Sequence, residues 1–399
     1  MIFPIEIWEI IFQHTDPITL LNLKRVCHTW NIVINKSYKY NKHWYTRCKS
    51  DIAEEVQSLL FEKLYPAQGC TGCDIESISP KMWMTMYKFW KTYKYFTKYD
   101  TSVKTIEPVL CSSIEFITCA TVSKDILAIA TSEGRIYFFT FIDSEGYILI
   151  SRANHMDYIC DIQILRYDSH IVAVSVSMRN DIKFWNIIEK KLCLTMKGKL
   201  LGSSCNNFCV GMDSKITIGK IDHKGIFTKR QIQLNSENIY ALANNNDMIS
   251  VYSKNGYQRY SYSRNKFCIV DKTIKTPDAI IKKYYLLKSV PQAIACITDD
   301  GYLGFYINGS WKMHNVFSIL NGAPTAIMVY LNLMVIGLDS GCVHILHMQN
   351  FETFDLSTTD SQEIILDNSS IVSLDIILHH EQKSLVVTSE SKVYIITFN

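Results

Sequence analysis

The 399-residue chain reads as two fold classes in series, a small all-α segment followed by a longer all-β array. Three observations predict this. Apolar residues of the first hundred positions recur at helical spacing, those from about residue 104 onward fall in short β-type runs, and the β-type runs repeat to the end of the chain.

The helical segment opens with FPIEIWEIIFQHTDPITLLNLKRVCHTWNIVIN, residues 3–35. Pro4 sits where a helix can start, because its fixed φ suits the first turn and its missing N–H would be unpaired there anyway. Ile7, Ile10 and Ile11 follow at helical spacing, with Glu6, Glu9 and Gln13 between them. Asp16-Pro17 predicts an N-cap and a first-turn proline. The next helix carries Leu20, Leu21 and Leu23 towards Val26, Cys27 and Trp30. So short a segment is too small to hide this much apolar surface in itself, which predicts a partner.

The ordered set Phe3-Pro4, Glu6, Ile7, Ile10, Ile11, Asp16-Pro17, Leu20, Leu23, Val26-Cys27, Trp30 and His43-Trp44 resembles the F-box. It departs from that pattern at Phe3, Thr15 and His43. The resemblance implies that residues 3–35 bind the Skp adaptor of a Skp–cullin–F-box ubiquitin ligase, through Phe3, Pro4, Ile7, Ile10, Ile11, Leu20, Leu21, Leu23, Val26, Cys27 and Trp30. From the residues alone, a helical cap on the neighbouring domain stays open.

Bulk properties narrow the classes. A net charge of +3 is too small to point to nucleic acid. The N-terminus lacks a signal-peptide pattern, no apolar run is long enough for a membrane helix, and the 13 cysteines are scattered without a disulfide-like framework. A cytoplasmic or nuclear protein is expected.

Further along, Ile52, Val56, Leu59, Leu60 and Leu64 continue the helical period. Cys70 and Cys73 form a lone C-x-x-C without the further ligands a zinc site needs, so a loop with two thiols is expected there. In residues 81–99, Trp83, Met86, Tyr87 and Trp90 share one face while Lys88 and Lys91 lie off it. That predicts an amphipathic helix clamping the N-terminal helices onto the next domain. A nucleic-acid module built from the same lysines and aromatics is the competing use.

The β-type half is organised by a hairpin unit. LAIATSEGRIYFFTF (127–141), AIACITDDGYLGFYI (293–307) and LMVIGLDSGCVHILH (333–347) share a strand, a tight turn and a second strand. Gly134, Gly301 and Gly341 would supply the positive φ the turn demands. Looser copies put turns near 180, 214, 255 and 390, giving a mean spacing of about 43 residues, inside the roughly 40–45 of a four-stranded blade. Seven units predict a seven-bladed β-propeller. The last unit ends after its third strand, so residues 103–110 are expected to supply the missing fourth and close the ring.

Phe184-Trp185-Asn186 and Asn154-His155 make the units resemble WD repeats, with Arg179 near the place of the family's structural Asp. The expected domains are residues 1–48 (F-box), 49–102 (helical linker) and 103–399 (propeller). No phosphate loop, H-E-x-x-H or G-x-S-x-G is present, so no catalytic residue, metal or cofactor is expected. The implied function is that of a substrate receptor, its partners a Skp-type adaptor, through it a cullin, and an unknown protein substrate, with neither nucleic acid nor membrane. A propeller scaffold without a ligase role is the alternative. By the WD-repeat resemblance, the loops ahead of each innermost strand and the second-to-third-strand turns would read the substrate, with Arg152, His155, Tyr158, Arg179, Lys254, Tyr257 and Asp339 as candidates.

Overall fold

The structure, a computed structural model, describes every residue except 1–2, 16, 41–42, 67–78, 95–99, 143–145, 235–237, 246–247, 262–265, 272–273, 275, 291, 308, 349–350, 380–381 and 399. Six helices come first: α1 (Ile5–His14), α2 (Pro17–Leu23), α3 (His28–Tyr40), α4 (His43–Asp51), α5 (Glu54–Leu64) and α6 (Pro80–Lys94). Seven four-stranded antiparallel sheets follow. Blades 1 to 6 span residues 117–154, 159–197, 200–233, 239–271, 281–315 and 324–365. Blade 7 joins residues 371–398 to the strand Thr101–Ile106. Neighbouring innermost strands pack side by side from blade 1 to blade 5 and from blade 6 to blade 7, and the first packs against the last.

The closure follows the expectation, two residues earlier than its predicted start. Thr101–Ile106 pairs antiparallel with Val393–Phe398, so a strand from ahead of blade 1 completes blade 7 and leaves no open edge between them. Pro108 lies beyond that strand, where its missing N–H costs the ladder nothing. The inner strands of blades 7 and 1 are stitched directly. Ser373 Oγ accepts from Ala120 N–H at 2.9 Å, and Asp375 Oδ2 accepts from Thr121 Oγ1 at 3.0 Å and Val122 N–H at 2.9 Å.

The hairpin turns also behave as expected. Gly134, Gly301 and Gly341 have φ of 81°, 83° and 79°. A side chain at Gly341 would run into the Asp367 carbonyl of the next blade. Blades 2 and 3 reach the same left-handed conformation with Asn180 and Asp213, at φ 62° and 51°, residue types that tolerate it.

Six of the seven innermost strands carry a β-bulge at their second residue, between Ile117 and Cys119 in blade 1 and at the matching place in blades 2, 4, 5, 6 and 7. A bulge bends the strand and re-aims a side chain. Here it recurs at one end of the central channel.

The helices close the other end. The continuous period over residues 52–64 is broken at residues 52–53, and Gln57, buried, donates to the Cys48 and Ile52 carbonyls at 3.1 and 2.7 Å. It thus partners the Ile52 carbonyl just past α4 and adds a second bond to the Cys48 carbonyl, which already accepts from Ile52 N–H at 3.1 Å. The predicted clamp is α6, with Trp83, Met86, Tyr87 and Tyr93 buried in one core that also holds Tyr330 and Leu331 of blade 6 and Leu378 and Leu385 of blade 7. Tyr93 meets the Tyr330 ring edge-on at 5.5 Å. The end of α5 spans the channel. Lys63 Nζ donates to Asp375 Oδ1 at 2.5 Å, while Glu62 accepts from Lys288 Nζ at 3.0 Å and Ser204 Oγ at 3.2 Å. Cys70 and Cys73 lie outside the described residues. Cys205 is disulfide-bonded, a pairing that the scatter of cysteines gave no reason to expect. Among the described residues no helix is long and apolar enough to cross a membrane.

Candidate functional site: an exposed apolar face on the first three helices

In α1 two apolar stripes run side by side. Trp8 and Phe12 point inward, and Phe12 is buried on Val33 and Ile34 of α3. Trp30 closes over them, its ring centroid 4.7 Å from Trp8 and 5.6 Å from Phe12. Ile7, Ile10 and Ile11, three and four residues apart, occupy the next stripe round the helix. They remain 40%, 52% and 39% exposed. Val26, between α2 and α3, is 62% exposed. Phe3, Pro4 and Cys27 are exposed as well. Fully burying an Ile or Val side chain is worth about 1.5–3 kcal/mol, so this face holds burial energy the chain does not itself use. Exposed apolar side chains clustered on one helix stripe in this way are the mark of an interaction site.

Local chemistry holds the face in place. Pro4 stands one residue ahead of the helix rather than in its first turn, and its carbonyl accepts from Ile7 and Trp8 N–H. Pro17 is the first residue of α2 as expected, while Asp16, the expected cap, lies outside the described residues. Cys27 Sγ accepts from Trp30 N–H at 3.5 Å at the start of α3. The Lys36–Glu9 pair at 3.4 Å joins α3 to α1 with the lysine well exposed and the carboxylate about a third exposed, so it adds little.

The expected docking residues therefore divide. Phe3, Pro4, Ile7, Ile10, Ile11, Val26 and Cys27 face outward. Leu20 is a correction: at 3% exposure it belongs to the core beneath, packed with Phe12 and Val33. Leu23 and Trp30 are half-buried and pack on that core, and the Leu21 side chain lies outside the described residues. Ile5 and Ile32 were not singled out, yet are 47% and 52% exposed. Helical period marks apolar positions but does not separate an inward stripe from an adjacent outward one.

The propeller candidates divide too. His155 is 2% exposed, its Nδ1 2.8 Å from Ser175 Oγ, which also accepts from Trp185 Nε1 at 2.8 Å. Burial, reinforced by Lys183, lowers the His155 pKa to about 4. It ties the loop to the strands of its blade and cannot meet a substrate from the surface. Tyr257 is likewise a correction, buried at 4% exposure with its hydroxyl donating to Ser250 Oγ at 2.9 Å. Arg152, Arg179, Lys254 and Asp339 are exposed, and Tyr158 is half-buried, its ring edge-on to Phe116 with centroids 6.2 Å apart. Arg152 lies over the Tyr137 ring at 5.5 Å, and Asp339 Oδ1 accepts from Ala323 N–H at 2.9 Å.

The grip that His155 makes recurs with other residue types. In blade 1, Glu115 accepts from Thr131 Oγ1 at 2.7 Å and from Arg135 at 2.6 Å. In blade 7, Asp367 accepts from Ser389 Oγ at 2.9 Å, Ser391 Oγ at 3.0 Å and Tyr394 OH at 2.8 Å. Burial pulls the Asp367 pKa up, but the hydrogen bonds from Ser369 N–H, Tyr394, Ser389 and Ser391 together outweigh it and leave the pKa lowered. Between the loop face and the helices, the channel holds a cavity of about 260 Å³, lined among others by Asp161, Lys283, Tyr285 and Asp375.

The family model of the F-box domain matches residues 2–50. No curated protein matches the chain. One chain of a solved structure described as "Crystal Structure of Mitotic Checkpoint Complex" is similar in fold, with a TM-score of 0.51 at 12% identity, over 76% of this chain and 95% of its own length. An F-box joined to a propeller is an architecture typical of non-catalytic adaptor proteins, and it fits a substrate receptor of a Skp–cullin–F-box ligase. The chain carries an F-box domain at its N-terminus, followed by a seven-bladed β-propeller.

Proposed function

We propose that this protein is a substrate-recognition subunit of a Skp–cullin–F-box ubiquitin ligase. The F-box domain would dock a Skp-type adaptor and through it a cullin, while the propeller holds a protein client. The observation that carries this is the outward stripe of Ile7, Ile10 and Ile11 with Val26, left exposed over a core that is already filled by Phe12, Leu20 and Val33. Apolar anchors of this type dominate interface energies once a partner desolvates them.

The protein would perform no bond chemistry. It would raise the local concentration of client lysines beside the charged transfer enzyme, an effective-concentration effect. Because α5 and α6 share a core with blades 6 and 7, client and adaptor would be held in a fixed relation rather than on a loose tether. A cytoplasmic or nuclear location goes with this role. The test is affinity capture of the full-length chain from cells with the proteasome blocked. Adaptor and cullin together are expected. Adaptor without cullin would favour a scaffold outside the ligase, and neither would remove the proposal.

A further inference from the structure

The face of the propeller opposite the helices carries a charge division that the sequence order conceals. This face is built from the loops ahead of each innermost strand and the second-to-third-strand turns. Over blades 2 to 4 it presents Arg179, Lys199, Lys215 and Lys254, all exposed, with Asp213 the one exposed carboxylate among the described residues there and the half-buried Asp157 paired with Arg179 at 3.7 Å. Over blades 5 to 7 it presents Asp278, Asp299, Asp300, Asp339 and Glu390, all exposed. None of these five carboxylates makes an ion pair among the described residues. Among the described residues the exposed lysines on that side are Lys282 and Lys283, the latter also lining the channel cavity, and the half-buried Lys392 is held by Glu107 at 2.6 Å.

Between the two sectors, at blades 1 and 2, lies an apolar patch. Ile114, Met156 and Met178 are 79%, 82% and 70% exposed, and Phe116 packs edge-on against Tyr158. Met178 N–H donates to the Tyr158 carbonyl at 2.9 Å, so two of the three loops that carry the patch, those of Met156 and Met178, are joined. On one side it abuts the acidic arc, since Ile117 N–H donates to the Glu390 carbonyl at 2.7 Å. On the other side it abuts the basic arc, since Arg179 follows Met178 directly.

We propose that this face receives an extended client segment whose charge changes sign across an apolar anchor. The anchor sits on Ile114, Phe116, Met156 and Met178, acidic side chains lie over blades 2 to 4, and lysines or arginines lie over blades 5 to 7. This assignment rests on the propeller being the client-binding domain. The physical basis is complementarity: the anchor supplies desolvated contact area, and the two arcs fix the direction of the segment and reject one charged at both ends with a single sign.

The experiment is selection of a random dodecapeptide phage library on the immobilised full-length chain. Recovered peptides are expected to hold an aliphatic or aromatic core with acidic residues on one side and basic residues on the other. The affinity of the best peptide should fall at least tenfold in Ile114→Glu/Met178→Glu. It should fall similarly in Asp300→Lys/Glu390→Lys, whose side chains make no hydrogen bond among the described residues. Peptides of a single charge sign, affinities unchanged by both variants, or no enrichment above background would overturn the proposal. Adaptor capture by the same variants is read in parallel. Its loss in the wild-type chain would count against the F-box assignment and leave the peptide result standing.

Discussion

Serine substitution at Ile7, Ile11 and Val26 together gives the sharpest separation of docking from folding. These side chains are 40%, 39% and 62% exposed in the free chain. Removing that residual exposure on adaptor binding, at about 1.5–3 kcal/mol for a fully buried Ile or Val, amounts to about 2–4 kcal/mol over the three. That corresponds to a loss of about 30- to 900-fold in Kd. Stability should change little, because exposed substitutions typically stay within about 0.5 kcal/mol each. The assay pairs titration calorimetry of purified Skp-type adaptor into the full-length chain with a thermal melt of the same preparations. An unchanged Kd would refute the assignment of this face. A lost Kd accompanied by a collapsed melt would show that the three residues support the fold instead. Trp30→Ala is the contrasting variant: its indole packs on Trp8 and Phe12, so it should lower the stability of the helical domain by about 3–5 kcal/mol.

Other outcomes follow from the same contacts. Asp375→Ala removes the acceptor for Lys63, Thr121 and the Val122 amide at once. It should cost about 3–5 kcal/mol, the scale for stranding a buried charge partner, in urea unfolding, with Lys63→Met costing clearly less. A chain truncated after Lys392 loses Val393–Phe398 and with it the pairing partner of Thr101–Ile106. Circular dichroism should then show no cooperative propeller transition, and an intact melt would contradict the closure. For pH, His155 has its pKa lowered from 6.5 to about 4, chiefly by burial. The unfolded chain then binds the proton first, so stability falls as pH drops from about 6.5 to about 4, by about 3 kcal/mol from this group. His314 and His344, also lowered by burial, act in the same direction. Melts across pH 4–7 should show a shallower decline in His155→Gln, and an equal slope would contradict the account.

Much of the fold was legible because repetition forces it. The turn glycines, the blade period and a final unit lacking its outer strand each have one economical solution, and Thr101–Ile106 supplies it. A second repeat signal lies in the innermost strands. Ile117, Ile159, Ile239, Ile281 and Ile371 each begin an innermost strand just ahead of the bulge, a marker tied to chain direction that the looser turn copies do not offer. The candidate sites were less legible for a physical reason. A residue in a loop ahead of an inner strand can face solvent or turn back onto its own blade, and nothing local decides which. His155 turns back to Ser175. Glu115 and Asp367 do the same work in their blades with carboxylates, so a search for one residue type finds only one of the three grips. The charge division of the loop face was hidden similarly, because Asp278, Asp339 and Glu390 are far apart in sequence and meet only through the ring.

Hydrogen–deuterium exchange on the full-length chain with and without purified Skp-type adaptor tests the docking face most directly. Slowed exchange confined to Ile5–His14 and the stretch from Leu23 to Trp30, with the seven blades unaltered, is the expected result. Protection on the propeller loops, or no protection in the first three helices at saturating adaptor, would contradict it.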